Sequence, residues 1–183
     1  IVAWRERGTV LVLRGKSLLL RGADPSSCFA RALRDLDQSI RLDPNSAENL
    51  IERGDLHLRR ALFQHERGAD GRASWEMAFT DLERAVAIAP SSPHAWFVRA
   101  TVWGTRELIA RAHDGDPEIA WREADLSLSK VLELDPRRVD AYRERSTLWL
   151  NRAQFAKEKG RDPFPLYRAG EADLSRALES VPD

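Results

Sequence analysis

The stretch Asp81-Leu82-Glu83-Arg84-Ala85-Val86-Ala87-Ile88-Ala89-Pro90 recurs in related form three more times along the chain. The related stretches run from 35 to 44, from 127 to 136 and from 173 to 182. Each ends in a proline, and consecutive prolines at 44, 90, 136 and 182 are 46 residues apart. A constant period of this size predicts an array of structural repeats.

The amino-acid composition is typical of a soluble, folded protein. Of 183 residues, 43% are hydrophobic and 32% are charged, and nothing in this balance suggests disorder. Lysine plus arginine and aspartate plus glutamate both number 29, so the formal net charge is zero. A neutral chain has no overall field that would attract nucleic acid or an anionic membrane, and both partners are therefore disfavoured.

Cysteine usage and the absence of targeting signals favour a cytoplasmic protein. Cys28 is the only cysteine, which excludes an intrachain disulfide and a cysteine-based metal site. The longest apolar run, Leu18 to Leu20, is far too short to cross a bilayer, and no signal peptide opens the chain. Because both ends fall on repeat boundaries, we expect a single repeat domain, 1–183, cut from a longer protein. Its repeats are 1–45, 46–91, 92–137 and 138–183.

Each repeat is predicted to form two helices joined by a tight turn. In the first repeat, residues 1–21 carry apolar and small residues at the spacing of one helix face. Gly22 should end this helix in the left-handed conformation, and Asp24-Pro25 should begin the next as N-cap and first helical residue. The second helix is expected to continue to about Leu42, where Asp43-Pro44 ends it.

Equivalent residues of the four repeats form columns that alternate between large and small side chains. The first-helix columns are Trp4, Leu50, Trp96, Tyr142 and Gly8, Gly54, Ala100, Ser146. The second-helix columns are Phe29, Trp75, Trp121, Tyr167, then Ala32, Ala78, Ala124, Gly170, then Leu36, Leu82, Leu128, Leu174. The turn column is Asp24, Asp70, Asp116, Asp162. Small residues let helices approach and large ones fill the flanking space, so the hairpins should stack as a one-dimensional array.

These columns resemble the tetratricopeptide repeat family over essentially the whole chain. The residues that carry the resemblance are Ala95-Trp96, Ala100, Ala78, Leu82, Ala85 and Pro90, with their equivalents in the other copies. The resemblance implies an all-α fold, a right-handed α-solenoid of four antiparallel helix–turn–helix repeats. The family's usual period is about 34 residues, so this repeat is longer by about 12. The extra residues lie around the turn between the two helices, which predicts elongated helices rather than an inserted loop.

Two columns of arginine run along the first helices. They are Arg7, Arg53, Arg99, Arg145 and Arg14, Arg60, Arg106, Arg152. One interpretation pairs the first column with Asp35, Asp81 and Asp173 of the second helices. The third repeat has Ser127 instead, and Asp125 is the expected substitute. The other interpretation is a basic ladder that binds phosphate or an acidic peptide. Structural pairing is the favoured interpretation.

No pattern of catalytic residues is visible, and we predict neither an enzyme nor a cofactor or metal site. The histidines, His57, His65, His94 and His113, occupy four different columns and have no ligand partner at metal-binding spacing. Cys28 shares its column with serine, alanine and leucine, which is typical of a packing position. Trp4, Trp75, Trp96 and Trp121 fall in core columns, whereas Trp103 and Trp149 share a mixed column with Leu11 and His57.

The resemblance places a concave groove along the first helices, where relatives typically accept an extended peptide or a partner helix. The candidate groove residues are Arg5, Thr9, Ile51, Asp55, Leu58, Arg59, Phe97, Thr101, Thr105, Arg143, Thr147 and Asn151. Val12, Leu13, Gly104 and Leu150 complete their columns. These columns vary between copies, either because they recognise a ligand or because they are merely exposed. A carboxylate clamp of Lys and Asn, as in some members, is not supported.

The sequence therefore predicts a non-catalytic protein–protein interaction scaffold, and the arginine- and alanine-rich repeats resemble those of bacterial signalling proteins. The expected ligand is a protein or peptide. One alternative is a nucleic-acid-binding helical repeat, which zero net charge disfavours. Another is self-association through uncapped ends, because Leu174 and Leu178 of the last copy still need cover beside the polar Ser180.

Overall fold

The structure is a computed structural model that describes residues 2–112 and 117–180. Within these ranges, side chains are described at every position except 107–112. Over these ranges the chain forms eight α-helices and no β-strand. The helices are α1 (Val2–Leu20), α2 (Ser26–Leu42), α3 (Ala47–Glu66), α4 (Arg72–Ile88), α5 (Pro93–Ala112), α6 (Glu118–Leu134), α7 (Val139–Glu158) and α8 (Phe164–Glu179). The predicted positions His113, Asp116 and Pro182 lie outside the described residues.

The helices form four hairpins, one per repeat, and the all-α repeat fold predicted from the 46-residue period is confirmed. Two compact units contain them: unit 1 (Ile1–Pro90) holds α1 to α4, and unit 2 (Ser91–Asp183) holds α5 to α8. Within unit 1, α2 packs against α3, and within unit 2, α6 packs against α7. Consecutive hairpins of a unit therefore join through the second helix of one and the first helix of the next.

The extra length of the repeat lies in the helices, as predicted. The first helices of the repeats have 19 or 20 residues, and the second helices have 16 or 17. Gly22, Gly68 and Gly160 end the first helices with φ of 69°, 69° and 68°, a conformation that glycine adopts without steric cost.

The start of the second helix differs slightly from the prediction. Asp24 Oδ1 accepts a hydrogen bond of 2.8 Å from the backbone N–H of Ser26, and α2 begins at Ser26 with Pro25 as the N-cap residue. Asp24 was predicted to be the N-cap residue, but it lies one residue before the N-cap and stabilises the turn from there. The equivalent bonds join Asp70 to Arg72 at 3.0 Å and Asp162 to Phe164 at 2.9 Å.

Side-chain packing inside each hairpin follows the large and small columns. A Cβ atom added to Gly8 would lie 3.0 Å from Leu36 Cγ, and one added to Gly54 would lie 2.9 Å from Leu82 Cγ. The two helices of a hairpin therefore approach too closely for a larger residue at these positions. On α2, Phe29, Ala32 and Leu36 are all buried, with at most 2% of their surface exposed.

Candidate interaction surface

In three of the four repeats the first-column arginine is bound to a buried aspartate of the second helix, which confirms the structural interpretation there. Arg53 donates from Nε and Nη2 to the two carboxylate oxygens of Asp81, at 2.8 and 2.6 Å, and Asp81 is only 3% exposed. Arg7 binds Asp35 in the same way at 2.6 and 2.7 Å, and Arg145 binds Asp173 at 2.8 and 2.6 Å. This fork geometry is the strong, bidentate form of an arginine–carboxylate pair.

The same arginines also connect neighbouring hairpins. Arg53 Nη1 donates to Asp37 of the preceding second helix at 2.8 Å, and Arg145 Nη1 donates to Ser129 at 3.1 Å. The hydrogen bonds to Asp81 are the main reason why the pKa of Arg53 is raised. Because one guanidinium holds two second helices, this column belongs to the scaffold rather than to a ligand site.

The third repeat corrects one prediction. Arg99 donates to Ser127 Oγ at 2.6 Å and to the carboxylate of Glu123 at 3.0 Å, whereas Asp125 was the predicted substitute. The prediction was wrong because Asp125 lies two residues from Ser127, on a different side of α6, whereas Glu123 lies one full turn away on the same face. The pKa of the half-buried Asp125 is raised, chiefly by desolvation.

In unit 1 the charged groove candidates bind one another. Arg5 forms an ion pair with Glu48, and Thr9 Oγ1 donates to Glu52 at 3.3 Å. Asp55 accepts two hydrogen bonds of 2.9 Å from Arg59, and Lys16 lies 3.5 Å away. The apolar candidates Ile51 and Leu58 are buried, at 4% and 2% exposure. Of the unit 1 candidates, therefore, the charged ones already have partners and the apolar ones are inaccessible.

In unit 2 the candidates are more accessible. The Arg138 guanidinium lies over the half-buried ring of Phe97, 4.5 Å from its centroid. Arg143 and Thr147 are exposed, and Asn151 is half-buried. Arg143 forms no ion pair within 4.0 Å with any described carboxylate, although the neighbouring Glu144 feels its charge.

The threonines of unit 2 satisfy their hydroxyl groups on their own helices. Thr101, Thr105 and Thr147 each donate to the carbonyl four residues earlier, at 3.1, 3.0 and 3.0 Å. Thr105 is buried, whereas Leu150 on α7 is 48% exposed. No described atom outside the neighbouring backbone of α5 lies within 4 Å of where a Gly104 Cβ would be, so the surface of α5 is open at this position.

Two residues of the mixed column, His57 and Trp149, carry buried or bonded polar groups, whereas the sequence indicated only a packing role for this column. Trp149 donates from Nε1 to Asp173 at 3.1 Å, so this tryptophan also supports the arginine–aspartate pair. His57, its equivalent in unit 1, is 6% exposed and its Nδ1 has no hydrogen-bond partner. Desolvation lowers the pKa of His57 to about 4, so its imidazole is neutral near pH 7. The 46-residue period indicated that Trp149 and His57 are equivalent positions, but it did not show that Trp149 contacts Asp173.

The described part of the chain lacks two other classes of site. No group of three or more histidine, cysteine, aspartate or glutamate side chains there is placed to hold a metal ion. None of the described helices is long and apolar enough to span a membrane.

The four hairpins, the alternation of small and large residues between their helices and the candidate first-helix surface define a helical-repeat protein with a tetratricopeptide-like fold. Among solved structures, the chain is similar to MamA, with 19% identity and a TM-score of 0.55 over 94% of this chain and 77% of that one. It is also similar to MamA 41-end from Desulfovibrio magneticus RS-1, with 15% identity and a TM-score of 0.58 over 94% and 75%.

A third similar structure is YrrB, which is described as a TPR protein with an unusual peptide-binding site. It has 14% identity and a TM-score of 0.42 over 94% of this chain and 86% of that one. No protein-family model matches the sequence, and no curated protein matches it.

Proposed function

We propose that the chain is a non-catalytic scaffold that binds a peptide or a partner helix on the first helices of unit 2. The binding surface, here called the unit 2 surface, comprises Phe97, Thr101, Gly104, Arg143, Thr147, Leu150 and Asn151. The observation that carries the proposal is the exposed Arg143, which lacks an ion pair among the described residues, whereas its column equivalent Arg5 is bound to Glu48. A guanidinium without an ion pair on this surface is available to a ligand.

The chemistry of the unit 2 surface suggests the kind of ligand. Arg143 can bind a carboxylate through two hydrogen bonds. The exposed side chain of Leu150 and the half-buried ring of Phe97 can contact apolar side chains of the same ligand. The space above Gly104 lets a ligand backbone approach α5. A segment with one acidic and one or two apolar residues, either extended or helical, matches these features.

The nucleic-acid alternative rested mainly on the arginine columns. Arg7, Arg53 and Arg145 are bound to buried aspartates, and Arg99 is bound to Glu123. These arginines make up the first column, and because they are engaged in this way they have few donors left for phosphate, which supports a protein ligand over a nucleic acid. Mixing the chain with single-stranded RNA at low and high salt tests this, because a phosphate-binding surface gives steeply salt-dependent affinity. A cytoplasmic location, suggested by the single cysteine, is part of the same proposal.

The direct experiment is selection from a displayed library of random 12-residue peptides on the immobilised chain, followed by affinity measurement for the enriched peptides. We expect enriched peptides to contain an acidic residue, and Arg143→Glu and Leu150→Glu each to weaken binding at least tenfold. Arg168→Glu is the matched control, because Arg168 is exposed on a second helix, α8. Failure to enrich any peptide, or equal loss with the control, would overturn the proposal.

A further inference from the structure

The second arginine column has a partner at the hairpin junction of unit 2 and lacks one at the junction of unit 1. In unit 2, Arg152 on α7 donates from Nη2 to Glu118 Oε1 at 2.9 Å. Glu118 is the first residue of α6, so this bond joins the first helix of one hairpin to the second helix of the preceding hairpin. The equivalent arginine in unit 1 is Arg60 on α3. It is half-buried, and its side chain forms no hydrogen bond or ion pair with any described residue.

The two junctions have the same register. In unit 1, Arg53 Nη1 on α3 donates to Asp37 on α2 at 2.8 Å. In unit 2, Arg145 Nη1 on α7 donates to Ser129 on α6 at 3.1 Å. Both residues of the second pair lie 92 residues, or two repeat periods, after those of the first pair. Therefore α3 meets α2 in the register in which α7 meets α6.

This register places Ser26 opposite Arg60. Two repeat periods separate Ser26 from Glu118, just as they separate Arg60 from Arg152. Ser26 is the first residue of α2, as Glu118 is of α6, and it is exposed. A serine side chain is shorter than a glutamate side chain and carries no charge. The position that supplies a carboxylate to Arg152 in unit 2 therefore supplies only a hydroxyl group to Arg60 in unit 1.

A second arginine acts on the same end of α2. The pKa of Asp24 is lowered chiefly by the hydroxyl group and the backbone N–H of Ser26, and further by the charge of Arg67. Arg67 is the C-cap residue of α3, and it forms no ion pair with a described carboxylate. Its guanidinium lies over the ring of Phe63, 5.2 Å from the centroid. The start of α2 thus faces two guanidinium groups, those of Arg60 and Arg67, and the single opposing carboxylate of Asp24.

We propose that Ser26 is a phosphorylation site and that its phosphate binds Arg60 as Glu118 binds Arg152. A phosphoserine carries a charge of about −1.5 to −2 near pH 7 and three acceptor oxygens. A guanidinium group can bind two of these oxygens at once, which makes arginine a suitable partner for a phosphate. The modification gives the junction of unit 1 the bond between α2 and α3 that a glutamate provides in unit 2. The two junctions then differ in that only one of them can be switched.

The phosphoryl donor is a nucleoside triphosphate that a separate serine kinase binds. Ser26 Oγ forms a bond to the γ-phosphorus, and the bond from that phosphorus to the diphosphate leaving group breaks. The proton of the hydroxyl group passes to a base of the kinase. Ser26 is accessible to a kinase because it is exposed and directly follows residues 21–25, which lie outside the helices. This site belongs to unit 1 and shares no residue with the unit 2 surface.

The first experiment tests the pairing on the full chain, synthesised with phosphoserine at position 26. The second pKa of a free phosphoserine is about 6. In a phosphorus NMR titration we expect a pKa below about 5.5 at position 26, because Arg60 favours the dianion, and a return towards the free value in Arg60→Gln. This variant leaves no described carboxylate without its partner. Phosphoserine at position 27 is the matched control, because Ser27 is also exposed but lies about 100° further round the helix. It should titrate near pH 6 with and without Arg60.

The second experiment measures the modification itself, by mass spectrometry of the chain isolated from the cells that produce it naturally. Trypsin releases residues 22–31 as one peptide, and its fragment ions distinguish Ser26 from Ser27. We expect phosphate on Ser26. The proposal is overturned if this peptide is unphosphorylated in growing and in starved cells alike, or if only Ser27 carries phosphate. It is also overturned if phosphoserine at position 26 titrates like that at position 27, since Arg60 then does not bind it.

Discussion

The carboxylate of Asp81 is held by the guanidinium of Arg53 through two hydrogen bonds of 2.6 and 2.8 Å. Asp81 is 3% exposed, and only 21% of the Arg53 side chain is exposed. Charges removed from water to this degree are stable only while they remain paired. The pair recurs one repeat before and two repeats after, so its energetics apply to three of the four repeats.

Breaking this pair from one side should be costly. We expect Arg53→Met to lower the free energy of unfolding by about 3–5 kcal/mol, because it leaves the buried Asp81 carboxylate uncompensated. The double variant with Asp81→Leu should lose less than the sum of the two single variants. Urea unfolding of the unmodified chain, the two single variants and the double variant gives the coupling energy between Arg53 and Asp81. A value near zero would show that the two side chains do not stabilise the fold as a pair.

The third repeat offers a test of the substitute carboxylate. Glu123→Gln should lower stability by about 1–3 kcal/mol, because Arg99 is 7% exposed and loses its charged acceptor. Ser127→Asp restores the aspartate of the other repeats, so Glu123→Gln should cost much less in that background. Asp125→Asn is the control, since Asp125 was the alternative partner. A larger loss for Asp125→Asn than for Glu123→Gln would contradict the observed pairing.

His57 should make the fold sensitive to mild acid. Its pKa is about 4 in the fold and 6.5 without burial, so the unfolded chain binds more protons between these values. The contribution of neutral His57 to the free energy of unfolding is fully present above pH 6.5. It falls as the pH drops towards 4, by roughly 3 kcal/mol at most. Asp81 and Asp37 favour protonation, whereas Arg53 and Arg60 oppose it.

Thermal or urea unfolding between pH 7 and pH 4 measures the effect of His57. His57→Leu, which introduces the leucine of the first repeat, should remove this part of the pH dependence, whereas His65→Gln at an exposed position should leave it unchanged. Identical pH profiles for the unmodified chain and His57→Leu would show that His57 does not contribute.

The 46-residue period was sufficient to predict the hairpins, their packing columns and the arginine–aspartate pairs. Those features repeat because stacking imposes the same contact on every copy, as with Leu36 and Leu128. The candidate surface was less predictable, since its columns do not repeat. Ile51 and Leu58 looked available from their position on the first helix, but both are buried. The sequence showed that Arg5 and Arg143 share a column, whereas only the fold revealed that one is paired with Glu48 and the other is not.

Two helical glycines should respond oppositely to alanine. A Cβ at Gly15 would lie 2.7 Å from Phe29 Cδ1 and closer still to Cε1, and Phe29 is 2% exposed and has no room to move. We expect Gly15→Ala to destabilise by about 1–3 kcal/mol through overpacking, despite a gain in helix propensity. Gly104→Ala meets no described atom within 4 Å beyond the neighbouring backbone of its own helix and should stabilise by about 0.5–1 kcal/mol through that propensity alone.

Parallel urea unfolding of Gly15→Ala and Gly104→Ala measures the change in the free energy of unfolding for the same substitution at a closely packed position and at an open one. If Gly15→Ala were as stable as Gly104→Ala, α1 and α2 could separate without cost. That result would contradict the close approach of the two helices, on which the large and small columns depend.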